Sequence, residues 1–236
     1  MAKKNKILNI EEIHTYYGES YIIQGLSLHV DESEAVSILG RNGVGKTTTL
    51  RAIMGMAPPS RGSIKFSDHE LTELPSHRIP RLGIGYVPQG RRIFPRLTVM
   101  ENIQSAVVVG NVNQENLQEA FVYFPRLRER IKQPGGTLSG GEQQMLAMAR
   151  AMITNPKLMI LDEPTEGLMP IMVDTIRDSI LKLNRDKGTT VLLVEQNLDT
   201  ALAVADRVCM MEKGVIKYSG GVKELDKDKL LAYLGV

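Results

Sequence analysis

Apolar and polar positions along the chain predict an ordered series of strands and helices. "ILNIEEIHTYYG" and "SYIIQGLSLHV" alternate in polarity and are rich in β-branched and aromatic residues, as half-buried strands are, with breaks expected at Gly18 and Gly25. "AVSIL", "KLMILDE" and "TTVLLVEQ" differ: each holds an unbroken apolar run, as in a parallel strand buried on both faces, and the last two runs end in acids. "APPSRGSIKF" reads as a turn into a strand, "RLGIGYVPQG" as a strand ending at Pro88 and Gln89, and "DRVCMMEKGVIKYSG" as a hairpin about Lys213 and Gly214. A helix is expected from about Lys46 to Met54. From about 97 to 153 helical patterns take over: "TVMENIQSAVVV", "NLQEAFVYF" and "GEQQMLAMARAMI". In the last, Met145, Leu146, Ala149, Met152 and Ile153 fall on one stripe. These elements predict an α/β core interrupted by a helical insertion from roughly 90 to 156.

Composition narrows the function classes. At 236 residues and 42% hydrophobic, the chain is long enough for one α/β domain with a substantial core. The balance of 29 Lys+Arg against 27 Asp+Glu, with no long basic run, gives no electrostatic case for nucleic acid. The single cysteine, Cys209 in "VCMM", excludes an internal disulfide framework, suits a reducing compartment and reads as inert packing. Acidic residues break the N-terminal apolar stretch too early for a signal peptide, and no run reaches the ~18 apolar residues of a membrane span. A soluble, cytoplasmic protein is expected, with any membrane association made through a partner. The four histidines (His14, His29, His69, His77) read as surface or turn residues.

Two stretches carry phosphate chemistry. In "GRNGVGKTTTL", Gly40, Gly45, Lys46 and Thr47 fit G-x-x-x-x-G-K-[ST], with Gly43 as an additional glycine, after an apolar strand and before a helix. Glycines let successive N–H groups point inward at phosphate oxygens, and the helix N-terminus adds partial positive charge. Lys46 would neutralise the β- and γ-phosphates, and Thr47 would ligate Mg²⁺. Asp162, at the carboxyl end of the "LMILD" strand, sits where ligands bind in open α/β sheets and would hold the metal through water. Glu163 beside it costs free energy unless used or solvated, which makes it the candidate for polarising the attacking water.

The second stretch, "LSGGEQQMLAMAR", poses a choice. Ser139 and Glu142 form S-x-x-E, a capping box, so helix initiation alone accounts for both. Capping does not require Gly140 and Gly141, however, and glycine weakens a helix start; paired glycines would let a phosphate approach the backbone N–H groups. One nucleotide cannot easily touch both loops if the second lies on a separate insertion. The second loop then serves ATP held by another subunit, with two chains sandwiching two nucleotides head to tail.

This set of motifs resembles the ATP-binding cassette (ABC) ATPases, over nearly the whole chain. "GRNGVGKTT" is similar to their Walker A, "LMILDE" to Walker B, "LSGGE" to the signature and "TEGLMP" at 165–170 to the D-loop, which crosses to the partner subunit. The resemblance implies a P-loop NTPase (RecA-like) core with an antiparallel β subdomain and an inserted helical subdomain. That divides the chain into a core of 1–89 and 157–236 and a helical subdomain of 90–156 carrying the signature. It implies ATP and Mg²⁺ as cofactors, with Arg41, Asn42, Val44 and Thr48 completing the phosphate loop. Tyr17 matches the aromatic that stacks on adenine, and Gln89 the Q-loop glutamine that contacts Mg²⁺ and senses the membrane subunits. Where the family usually places a histidine on the γ-phosphate, this chain has Gln196, whose amide carries no charge but is expected to donate to the γ-phosphate and report ATP occupancy, while Glu163 handles the water.

"PQGRRIFPRLTVMENI", "FPRLRER", "LSGGEQQMLAMARAM", "LLVEQN" and the terminal "AYLGV" together look like the smaller ATPase of branched-chain amino-acid importers, where glutamine at the switch is common. The implied partners are a second ABC ATPase subunit, two integral membrane permease subunits and, indirectly, a solute-binding protein, with the chain peripheral on the cytoplasmic membrane face. ATPases of urea and short-chain amide importers are closely similar, and exporter or lipid-transport ATPases share every catalytic motif. ABC proteins acting on ribosomes or DNA usually carry two cassettes or a long coiled-coil insertion, which 236 residues are not expected to hold.

Overall fold

The computed structural model describes residues 5–107 and 112–225. Its first half runs β1 (Lys6–Tyr17), β2 (Ser20–Asp31), β3 (Ala35–Leu39), α1 (Lys46–Ile53), β4 (Arg61–Phe66), β5 (His69–Glu70) and β6 (Ile84–Val87). Four helices follow: α2 (Val99–Gln104), α3 (Gln114–Tyr123), α4 (Pro125–Glu129) and α5 (Gly140–Met152). The chain then returns through β7 (Leu158–Asp162), α6 (Pro170–Arg185), β8 (Thr190–Glu195), α7 (Leu198–Val204), β9 (Arg207–Glu212) and β10 (Val215–Gly221).

The strands form two sheets: a four-stranded antiparallel one ordered β2-β1-β4-β5, and a six-stranded one ordered β10-β9-β3-β8-β7-β6. The larger is parallel except for the β9–β10 pair. Its unbroken apolar runs have a direct cause. In β7, Met159 and Leu161 point into one core and Leu158 and Ile160 into another; in β8, Val191 and Leu193 divide from Leu192 and Val194 in the same way. Period 2 is present, but both faces are covered, so polarity does not alternate. One core lies under α5, α6 and the helical segment, the other under α1 and the antiparallel sheet.

Gly25 does not end a strand as expected. It has φ 85° inside a continuous β2, where the register steps from Ile13↔Leu26 to His14↔Gln24, so the glycine is the extra residue of a β-bulge. His14 and His29 are also not turn residues but partly buried members of β1 and β2, whereas His69 and His77 are exposed. The helix expected from "TVMENIQSAVVV" is shorter: α2 covers six residues, started by a capping box between Thr98 and Glu101. Residues 108–109 of that stretch, and the terminal "AYLGV", lie outside the described residues. The α5 stripe widens to nearly the whole helix, because Gln144, Ala147, Met148 and Ala151 are buried too.

Candidate active site

The carboxyl ends of four adjacent strands, in the order β3, β8, β7 and β6, each lead into a loop that contributes polar groups. After β3 the chain turns through Gly40–Gly45 into α1. Gly45 takes φ 111°, and a Cβ there would lie 2.8 Å from Met211 Cε and 2.9 Å from Ile23 Cδ1, so conformation and space both require glycine. The loop is tethered where Gly214 N donates to Val44 O at 2.9 Å. Arg41, Asn42, Gly43 and Val44 form the turn itself, and Thr48 sits in the first turn of α1.

Lys46 is buried, and its ammonium curls back onto its own loop, donating to Gly40 O at 2.8 Å and Arg41 O at 3.1 Å. It also pairs with Glu163 Oε1 at 3.4 Å. The next residue, Thr47, donates its hydroxyl to Asp162 Oδ1 at 3.0 Å. Asp162 Oδ2 is buried and has no hydrogen-bond partner among the described residues. Burial pushes the Asp162 carboxyl above the usual range, against the opposing pull of the Thr47 hydroxyl. An orphaned carboxylate oxygen beside a hydroxyl is a hard, oxygen-only donor set, and it fits Mg²⁺.

Glu163 is the hub. It has left-handed backbone (φ 49°), an uncommon conformation for a residue with a Cβ, fixed by its N–H donating to Val194 O at 2.9 Å. Gln196 Nε2, from the loop after β8, donates to its Oε2 at 2.6 Å, and Gln89 Nε2, from the loop after β6, at 3.2 Å. Gln89 Nε2 also donates to Glu166 Oε2 at 3.0 Å, which leaves its Oε1 as a ligand atom. Lys46, Thr47, Asp162, Glu163, Gln89 and Gln196 are thus assembled around one carboxylate pair. Tyr17, 67% exposed at the end of β1, lines a groove of about 810 Å³ together with Tyr86, Gln89, Arg91, Arg150 and Asp162.

Ser139, Gly140 and Gly141 make different contacts. The capping box is present: Glu142 N donates to Ser139 Oγ at 3.4 Å, Ser139 N to Glu142 Oε2 at 2.9 Å, and Arg130 braces Glu142 Oε1 at 2.7 Å. Gly141 also has a packing reason that the motif does not reveal, whereas Gly140 meets only the movable end of a side chain. A Cβ on Gly141 would lie 2.2 Å from Met172 Cε, and one on Gly140 would lie 2.9 Å from Arg91 Nη2. Close packing against Met172 of α6 thus gives Gly141 a second reason to lack a side chain, beside the access of a phosphate to its N–H. Glu195 also belongs to this cluster of strand ends, and its one local signal is the one Asp162 carries, an acid closing an apolar strand.

Against this geometry, the family model described as ABC transporter matches residues 23–166. The chain belongs to the ABC transporter family. It is 42% identical to the high-affinity branched-chain amino acid transport ATP-binding protein BraG of Pseudomonas aeruginosa, covering 97% of this chain and 100% of that protein. It is 35% identical to the lipopolysaccharide export system ATP-binding protein LptB of Escherichia coli, with 97% of each covered. The dimeric structure of an ATP-binding cassette in a post-hydrolysis state, bound to ADP and Pi, superposes with a TM-score of 0.82 at 25% identity, covering 92% of this chain and 100% of that one. The chain is an ATP-hydrolysing cassette of a family that works as dimers with membrane permease subunits. Among the described residues, no helix is long and apolar enough to cross a membrane.

Proposed function

We propose that this ABC cassette powers import of branched-chain amino acids from the cytoplasmic face of a membrane, bound there to two permease subunits that receive solute from a binding protein. The observation that carries the reading is the end-to-end match to BraG at 42% identity, ahead of the 35% match to LptB, which supports export as the second reading. The amide and urea importers remain the nearest alternatives in substrate.

In this reading the α/β core is 1–89 and 157–236, and 90–156 is the helical subdomain that presents Ser139, Gly140 and Gly141 to ATP held by a second cassette. Tyr17 stacks on adenine, and the backbone from Gly40 to Thr48 cradles the phosphates. Lys46 exchanges its contacts with Gly40 O and Arg41 O for phosphate oxygens. Thr47, Asp162 and Gln89 would hold Mg²⁺, which when bound neutralises charge on the β- and γ-phosphates. Glu163 accepts a proton from the water that attacks the γ-phosphorus, while the bond to the β–γ bridging oxygen breaks and ADP leaves. Gln196 fixes the carboxylate that receives the proton.

Two measurements test this. Glu163→Gln should retain ATP binding, trap an ATP-bound dimer and lose hydrolysis by at least ~10²-fold, as for a lost general base; near-wild-type turnover would remove Glu163 from the mechanism. Uptake of labelled leucine should vanish in cells lacking the chain and return with wild type but not with Glu163→Gln. Undiminished leucine uptake without the chain would overturn the substrate assignment.

A further inference from the structure

We propose that Glu195 is a positioning residue that joins the loop after Glu163 to the Gln196 loop, so that displacement of the first loop by a second cassette resets the alignment of Glu163. This rests on the reading of the site given above and extends it to its regulation.

Glu195 closes β8 between β3 and β7, opposite Leu39, with only 2% of its surface exposed. A carboxylate so buried is costly unless each oxygen has donors. Here the two oxygens serve two different loops. Oε1 accepts from Thr165 Oγ1 at 2.6 Å and from Thr165 N at 3.3 Å. Oε2 accepts from Gln196 N at 3.1 Å and Asn197 N at 3.3 Å. One rigid carboxylate therefore fixes the backbone of Gln196, whose side chain holds Glu163 Oε2 at 2.6 Å.

The Thr165 end of the link leads outward. Thr165 lies two residues beyond Glu163 and one before Glu166, which receives Gln89 at 3.0 Å. Its carbonyl accepts from Leu168 N at 3.3 Å, and the chain then presents Met169 and Ile171 at 66% and 69% exposure. Met169 at the end of this loop and Ile171 in the first turn of α6 are exposed apolar side chains that give a second cassette a lever on a segment whose base grips a buried carboxylate. A displacement there would reach Gln196 N through the Thr165–Glu195 hydrogen bonds. A hydrophobic residue at 195 would fill the space without linking the loops.

The experiment compares Glu195→Gln, Glu195→Asp, Thr165→Val and the Glu195→Gln/Thr165→Val pair, with Glu163→Gln alongside. Each is assayed for kcat and KM of ATP hydrolysis, for ATP affinity and for thermal midpoint. Glu195→Gln keeps the shape but presents an N–H₂ where one pair of donors needs an acceptor, so kcat should fall at least about tenfold with ATP affinity within about twofold of wild type. Glu195→Asp should recover part of that loss. Thr165→Val cuts the same link at its other end, so the double variant should be no slower than the slower single. Wild-type kcat in Glu195→Gln beside an inactive Glu163→Gln would overturn the coupling alone. Wild-type kcat in Glu163→Gln would overturn the site reading and the coupling with it. Should Glu195→Gln fail to fold, Thr165→Val decides: normal kcat overturns the link, and lowered kcat with unchanged ATP affinity supports it.

Discussion

Gln196→Ala removes the shortest hydrogen bond on the Glu163 carboxylate, the 2.6 Å contact from Nε2 to Oε2. A bond to a charged acceptor contributes about 1.5–3 kcal/mol, which in a rate corresponds to roughly tenfold to a hundredfold. Two contacts remain, from Gln89 Nε2 at 3.2 Å and Lys46 Nζ at 3.4 Å, so Glu163 stays in place but turns more freely. That puts the expected loss in kcat nearer tenfold. The assay is steady-state ATP hydrolysis with the permease subunits present, from which kcat and KM are separated. A fall in kcat with KM unchanged indicates that the amide acts through Glu163; a rise in KM with kcat unchanged indicates a ground-state contact to phosphate. Gln196→His restores a donor and should recover much of the rate, while adding a pH dependence between about 6 and 7 that wild type lacks. Wild-type kcat and KM in Gln196→Ala would refute the reasoning, leaving residue 196 as packing.

Three further outcomes are expected. Ser139→Arg should leave the ATP affinity of the isolated chain unchanged while hydrolysis collapses, since the cation would block the partner's γ-phosphate; equal losses in affinity and rate would favour a site within one chain. Gly141→Ala places a methyl 2.2 Å from Met172 Cε and 2.8 Å from its Cγ, so melting should show about 1–3 kcal/mol of overpacking, relieved by adding Met172→Ala. Glu34, held by Arg207 at 2.8 and 3.0 Å and by Asp31 N at 2.9 Å, has its carboxyl below the usual range: burial would raise it, but these bonds outweigh burial. The folded state therefore binds this proton less readily than the unfolded chain. Its stabilisation is present above the unfolded pKa of about 4.3 and is lost as pH falls through the folded value, so Glu34→Gln should melt lower at pH 7 and flatten the acid limb of Tm against pH.

The central strands were legible because burial on both faces leaves unbroken apolar runs, and the phosphate loop because glycine, lysine and threonine at fixed spacing follow one of them. What escaped was of two kinds. The helix α6 carries its signal openly, with Ile176, Ile180 and Leu183 buried at helical spacing, but it follows the "TEGLMP" stretch, which drew attention as a motif. Gly25 failed for a physical reason: positive φ is common to turns and bulges, and only the register of the partner strand distinguishes them. The convergence of Gln89 and Gln196 on one carboxylate oxygen was also not legible. Those residues stand 107 positions apart, and strand order in the sheet, rather than local pattern, makes them neighbours.

The glycine pair at the start of α5 shows how one short stretch answers two demands. Ser139 Oγ satisfies Glu142 N, but helix geometry leaves the N–H groups of Gly140 and Gly141 without acceptors inside the helix. The cap and an incoming anion therefore use different atoms and do not compete. Arg91, whose guanidinium lies against Gly140 and donates to Gln143 Oε1 at 3.4 Å, adds positive charge at the same end. It follows Gly90 with left-handed backbone of its own (φ 67°), as does Arg92 (φ 49°), two consecutive residues in a conformation that side chains disfavour. That segment begins one residue after Gln89, so the chain that supplies an amide to Glu163 also reaches the start of α5. In the proposed pair of cassettes, that connection would let the state of one carboxylate and the position of the helix start beside it change together.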